Sequence, residues 1–295
     1  MYLEIDTPCD FSFHETLNAH GWRRLAPYDF DDNISTLHRT EQLEDGRVIH
    51  LRMRSGESSI LVDIDGDVDP DSDVQAVLNR VRVMFQLGVP VDRFHSYCAA
   101  NAALAHIPHK KQGRMLCSPT LWEDCCKVIL TTNTTWAQTV GMTKRLVDAY
   151  GSAFPSDPAR KAFPSPAQVA AAPYGEFEQT ARFGYRNLSI HSLADSIASG
   201  SLDLEAYRDS TLDGKDLWKR LISLRGVGPY AASCLMIYLG RYDRVNVDSW
   251  ARMMVSKELG VPVFDKDVHE FFAPHGEWSG LVYHFFPWKE TAPAY

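Results

Sequence analysis

The segment Leu224–Cys234, LRGVGPYAASC, sets two glycines and a proline directly before a run of small and apolar residues. Gly226 and Gly228 permit positive φ and leave backbone amides uncovered, while Pro229 suits a first helical turn, where its missing N–H is not needed. Amides gathered at a helix N-terminus attract anions, and a nucleic-acid phosphate is one such anion. The same residues also suit an ordinary helix end followed by a new helix. About twenty residues beyond Gly228, Asp248 heads another helical stretch, VNVDSWARMMVSKELG. An aspartate there is an N-cap by default, but a capping carboxylate at the mouth of a cleft is also a charge fixed in position.

Helices must place these groups, and the pattern supplies them. DGKDLWKRLIS, residues 213–223, has a capping residue and an apolar stripe at Leu217, Leu221 and Ile222. PYAASCLMIYLG resumes helix after LRGVG, which gives two helices joined by a tight glycine hairpin. Further upstream the period changes. From about 18 to 65 it is that of strands, with VIHLRMR and SILVDID alternating about the turn SGES. From Val74 onward apolar residues fall on helical faces. Strands first and helices after indicate an α+β chain, with a boundary near 100. Five prolines between Ser152 and Gly175 predict a connection holding only short pieces of structure.

Bulk properties exclude several classes. The 295 residues, 45% hydrophobic, can bury one large core or two joined ones. No apolar run reaches the length of a membrane span, and the opening MYLEIDTPCDFSF has neither a basic nor an apolar signal region. The expectation is a cytoplasmic protein without membrane contact. Six cysteines with no C-x-x-C pair are expected to be reduced and mostly buried. The net charge of −8 opposes nucleic-acid binding at first sight. Six of the aspartates, however, lie in DIDGDVDPDSD, residues 63–73, with no basic residue among them, and without them the remainder carries −2. A local positive face is therefore compatible with the composition. That acidic run lacks the glycine position and closing glutamate of a calcium loop and is expected to be a solvated turn.

Hairpin, helix and aspartate in this order resemble the helix-hairpin-helix superfamily of DNA glycosylases, and within it the branch of 8-oxoguanine glycosylases and AlkA-type 3-methyladenine glycosylases. KKQGRMLCSPTLWEDCCKVILTTNTTWAQTVGMTKRLVDAYG, FGYRNLSI and GEWSGLVYHFF extend the likeness over most of the chain. The resemblance implies an N-terminal antiparallel sheet domain over 1–100 and a mostly helical glycosylase domain over 101–295. It implies a double-stranded DNA partner containing a damaged base, a role in base excision repair, no cofactor, and action as a monomer.

Its site residues carry over individually. Leu224, Gly226, Val227 and Gly228 form the hairpin on DNA, and the carbonyls of Leu224 and Val227 would suit a monovalent cation. Asn133 in TTNTT matches the asparagine that fills the gap left by an extruded base; on its own it would be a cap in a threonine-rich turn. Arg186 in GYR matches an arginine that contacts the orphaned partner base, and on its own would be a surface arginine. Gln138 replaces a second such arginine, which lowers the expectation of strict opposite-base reading. Asp248 matches the catalytic carboxylate, which would stabilise an oxocarbenium-like sugar and align water.

Where relatives that also cut the strand carry a lysine, this chain has Tyr230. A phenol cannot form an imine with the sugar, so hydrolysis without lyase activity is expected. Tyr230 would also put a ring at the base pocket, joined by some of Trp136, Tyr238, Trp250, Trp278, Tyr283, Phe285 and Trp288, at least half of which are expected in the core. Rings suit a cationic alkylated purine. Gly280, in EWSG, stands where the oxoguanine branch has a base-reading glutamine. No cysteine follows Cys234, which excludes the iron–sulfur cluster of other superfamily members. The alternatives are a glycosylase for 8-oxoguanine or an unusual modified base, or a non-catalytic DNA-binding protein.

Overall fold

The computed structural model describes residues 1–209 and 211–288. In chain order it comprises β1 (Tyr2–Asp6), α1 (Phe13–Asn18), β2 (Tyr28–Asp31), β3 (Thr36–Gln42), β4 (Val48–Ser55), β5 (Ser59–Asp65), α2 (Asp73–Met84), α3 (Asp92–Ala99) and α4 (His106–His109). There follow α5 (Leu121–Thr131), α6 (Trp136–Tyr150), β6 (Ala153–Phe154), β7 (Asp157–Lys161), α7 (Pro166–Ala170), α8 (Tyr174–Ala181) and α9 (Arg186–Ala198). The chain continues through α10 (Gly214–Ser223), α11 (Pro229–Tyr238), α12 (Ser249–Leu259), α13 (Asp265–Phe272) and α14 (Ser279–Phe285). The expected α+β order, sheet before helices, is present.

Strands β1 to β5 form one antiparallel sheet in the order β1-β5-β4-β3-β2. Its central register sets Leu51 opposite Ile64 and Met53 opposite Val62, so alternation turns one apolar row inward. The edge strand β1 was not expected from the sequence; it pairs with β5, Ile5 opposite Ile60. Near β6–β7 the opposite face of β4 is also covered, where Val48 packs with Phe154 and Ala162. This hairpin and α7 are the short pieces within the proline-rich connection. Of the acidic run, Asp65, Asp67, Asp69 and Asp71 are exposed, as in a solvated turn, whereas Asp63 and Asp65 belong to β5 and Asp73 opens α2, buried and paired with Arg47 at 2.8 Å. All six cysteines are free, five buried and Cys9 exposed. Among the described residues no helix is long and apolar enough to cross a membrane.

The main core runs unbroken from Ile5 to Phe285, so sheet and helices share it across residue 100. A buried ionic cluster fastens them as well. Arg39 of β3 donates two parallel bonds to Glu123 of α5, at 2.9 and 2.6 Å, and Lys127 adds a third at 2.6 Å. Arg39 also pairs with Glu41, which Arg80 bonds at 2.9 Å. Arg39 and Lys127 both lie against the Tyr28 ring. Burial works to raise the Glu123 carboxyl, yet Arg39 and Lys127 hold it down to about 2. Full mutual pairing is what makes such a set tolerable without water.

Candidate active site

Asp213 caps α10 by accepting the Lys215 N–H at 2.8 Å, and the helix ends at Ser223. The chain then reverses through Leu224–Gly228, held by a bond from the Val227 N–H to the Leu224 carbonyl at 3.1 Å. Leu224 and Val227 are buried and anchor the turn from beneath. Gly226 adopts φ +85°, and a Cβ added there would lie 2.6 Å from the Ser189 side chain on α9. Glycine is required at this position both by conformation and by close approach. Gly228 has φ −91° and open space before it, so it is needed for access rather than for the turn. The amides of Gly226 and Gly228 have no backbone acceptor among the described residues. They are the uncovered donors expected at the start of α11. The Leu224 carbonyl already holds the Val227 N–H, and a cation there would have to share its second lone pair.

Asp248 is the N-cap of α12, its Oδ1 accepting the Ala251 N–H at 2.8 Å. One oxygen is thus used by the cap. Burial raises its carboxyl above the ordinary aspartate range, opposed by the amides of Ala251 and Trp250 and by Arg252. Asp248 and the hairpin line one cleft of about 930 Å³ together with Asn133, Tyr185 and Tyr230. Neither lysine, histidine nor glutamate is among the described residues lining it. Its charged groups are Arg225, Arg252 and Asp248, and Arg252 is paired with Asp265 at 2.7 Å. Cation density is low, and the hairpin amides make up much of what the cleft offers an anion. Cys234, burial and Asp248 push the Tyr230 phenol well above its ordinary value, and its hydroxyl is bonded to Thr131 and Cys234.

No protein-family model matches the chain. Among solved structures it is similar to MBOgg1 in complex with a low-affinity DNA ligand, at 18% identity and TM-score 0.73, over 97% of this chain and 93% of that one. It is similar to the 3-methyladenine DNA glycosylase of Archaeoglobus fulgidus, at 14% identity and TM-score 0.73, over 97% of both chains. The Clostridium acetobutylicum 8-oxoguanine glycosylase/lyase, bound to double-stranded DNA with cytosine opposite 8-oxoG, matches at 17% identity and TM-score 0.71, over 97% of both. The chain has the DNA glycosylase fold.

Within this glycosylase fold the expected site residues separate into two sets. Asp248, the four hairpin residues, Asn133 and Tyr230 come together in the cleft. Most of the expected rings do not. Trp136 packs toward Gly21, where an added Cβ would meet its ring at 2.4 Å. Trp250 and Trp288 stack edge to face with one another and with Tyr283. Trp278 lies between Phe94 and Tyr242. Phe285 is buried, its carbonyl bonded to His106 at 3.0 Å. None of these residues lines the cleft, because each satisfies a long-range apolar contact instead. Gly280 has no room for a side chain: a Cβ would stand 2.5 Å from the Arg244 carbonyl.

Two expected DNA contacts are likewise engaged by the protein itself. Arg186 is only 7% exposed; it donates to the carbonyls of Phe183 (3.1 Å), Thr132 and Asn133 (3.2 Å). Its guanidinium covers the Tyr185 ring at 4.4 Å. Gln138 closes a capping box with Thr135 at the start of α6. Sequence reasoning missed Tyr185 itself, which is 62% exposed beside Asn133, its hydroxyl 3.3 Å from the Asn133 amide nitrogen. The residue sits in the GYR segment, but only the fold shows that this tyrosine faces the cleft while the arginine does not.

Proposed function

We propose that the chain is a monofunctional DNA glycosylase that hydrolyses the N-glycosidic bond of an extruded damaged base, an alkylated purine such as 3-methyladenine. The observation that carries this reading is the sharing of one cleft by the Asp248 carboxylate and the uncovered hairpin amides, with no lysine among the described residues that line it. A strand phosphate seats on the amides of Gly226 and Gly228, and Asn133 with Tyr185 occupies the space the base has left. As the bond to the base lengthens, positive charge grows on the sugar. The Asp248 oxygen not used by the cap stabilises that charge and takes a proton from the attacking water. The products are a free base and an intact abasic strand.

The leaving group decides the substrate class. Among the described residues that line the cleft there is no lysine, histidine or glutamate to protonate a departing base, and Tyr230, held well above its ordinary pKa, is a weak acid. An N-alkylated purine is already cationic and departs as a neutral base, so no acid is required. The rings expected to favour such a substrate are mostly packed elsewhere, so the leaving-group argument carries the substrate class.

The test is release of free base from methylated and from oxidised duplexes, identified by mass. Release of 3-methyladenine with strands left unbroken is expected. Release of 8-oxoguanine alone would overturn the substrate class. Release from none of the duplexes, with abasic-site binding retained, would favour a non-catalytic DNA-binding protein.

A further inference from the structure

We infer that the chain carries a second binding site, for a small organic cation with an apolar body, at the far end of α5 from the Asp248 cleft. The site is a cavity of about 650 Å³ at the seam between sheet and helices. Its walls come from the β3–β4 turn, the start of α5, residues 163–166 and the stretch from Ile197 to Glu205. That volume falls in the range of small-molecule sites. Two helices connect it with the cleft. α5 begins at the cavity with Thr120 and Trp122 and reaches the cleft at Thr131 and Thr132, roughly 15 Å further along its axis. α9 runs the other way, from Arg186 against the Thr132–Asn133 turn to Ile197 in the cavity wall. The inference therefore stands apart from the glycosylase reading.

The walls decide the charge of the ligand. Two features could attract an anion, and the protein's own carboxylates occupy both. Arg39 spends its three guanidinium nitrogens on Glu41 and Glu123, and Arg80 bonds Glu41 at 2.9 Å and the Gln42 carbonyl at 2.7 Å. The first amides of α5 are covered as well, for Glu205 Oε1 accepts from Leu121 at 2.6 Å and from Trp122 at 3.4 Å. Glu44 and Asp203, by contrast, stand exposed in the wall and form no ion pair among the described residues. They are the unmatched charges of the site, and they call for a cation.

The rest of the lining suits an apolar body. Trp122, Phe163, Ile197 and Leu202 contribute to it. The Trp122 indole N–H is spent on the Pro164 carbonyl at 2.9 Å, so that side chain offers only ring carbon to a ligand. Burial of the ligand's body supplies most of the affinity, while Glu44 and Asp203 select the ammonium.

The test is titration of the full chain with three molecules of similar shape: phenethylamine, 2-phenylethanol and 3-phenylpropionate. The amine should bind with a Kd tighter than about 1 mM, the alcohol at least about fivefold more weakly, and the carboxylate more weakly still. Glu44→Gln with Asp203→Asn, both at exposed positions, should melt like the parent and bring the amine to the affinity of the alcohol, each single change giving part of that loss. A weaker Kd for the amine would overturn the inference, as would equal affinity for the three molecules or tightest binding of the carboxylate. Amine binding that the double variant leaves unchanged would place the site elsewhere. Competition between the amine and an abasic duplex would place it in the Asp248 cleft, and either result would overturn the inference while leaving the glycosylase reading in place.

Discussion

Gly226 of the hairpin rests directly on Ser189 of α9, so that a single methyl at 226 would overlap the Ser189 side chain at 2.6 Å. The same helix carries Arg186, whose guanidinium donates to the Thr132 and Asn133 carbonyls. With φ at +85° in addition, Gly226→Ala is expected to lower stability by about 1–3 kcal/mol. Gly228→Ala meets neither obstacle, and its Cβ would project into open space before the amides. It should melt like the parent yet bind damaged and undamaged duplex more weakly, by similar factors, because phosphate contacts carry no sequence information. Thermal denaturation paired with duplex titration separates the two variants; a lesion-selective loss in Gly228→Ala would contradict the hairpin's role.

Asp248→Asn keeps an acceptor for the Ala251 amide and removes the charge. Base release should fall by at least on the order of 10²-fold, while affinity for an abasic duplex stays within a few fold. Since burial raises the Asp248 carboxyl, ionising it in the folded chain costs stability above the ordinary aspartate range, and the neutral amide avoids that cost. The variant should therefore be no less stable than the parent at neutral pH. Wild-type turnover in this variant would remove Asp248 from the mechanism.

Borohydride added during turnover should trap no covalent adduct, and strand breakage should appear only after alkali. Tyr230 offers a phenol, and the residues lining the cleft include no lysine. Lys257 on α12 is not among them, and Lys289 falls outside the described residues. An adduct that survives denaturation and maps to any lysine would refute hydrolysis as the sole chemistry.

Two buried groups move stability in opposite directions across the acid range. Burial pushes His20 down to about 3, against 6.5 ordinarily. Between those values the unfolded chain binds more protons, so the His20 contribution is present above about 6.5 and lost as pH falls toward 3. Burial raises Asp124 to about 6, against 3.8 ordinarily. Here the native state binds more protons, and the contribution is full below about 4 and lost as pH rises through 6. Each reaches on the order of 3–5 kcal/mol at its limit. In urea denaturation from about pH 4.5 to 7.5, His20→Gln should be less acid-sensitive than the parent and Asp124→Asn more so. Parallel profiles for all three proteins would refute both assignments.

The hairpin, Asp248 and the sheet strands β4 and β5 could be read from the sequence because each is local: glycine conformation, capping and period-two alternation act within a few residues. The rings could not. Whether Trp250 faces a cleft or Tyr283 is settled by residues far apart in the chain, and a tryptophan suits either place. Arg186 shows the same limit, since its partners Thr132 and Asn133 lie more than fifty residues upstream. Strand β1 escaped because its five residues form an edge, with only Ile5 fully buried to mark a period.

The pairing of Arg39 with Glu123 bears on how such a chain can be divided. A fragment ending near residue 100 would retain Arg39 with Glu41 but lose the bidentate Glu123 carboxylate, and the complementary fragment would retain Glu123 with Lys127 but lose the guanidinium. What the division removes is the pair of parallel bonds across the boundary, together with the apolar core that sheet and helices share. The sheet is accordingly not a transferable module. A chain divided at that point should not fold as it does in the whole protein, and the whole chain should unfold in one cooperative transition.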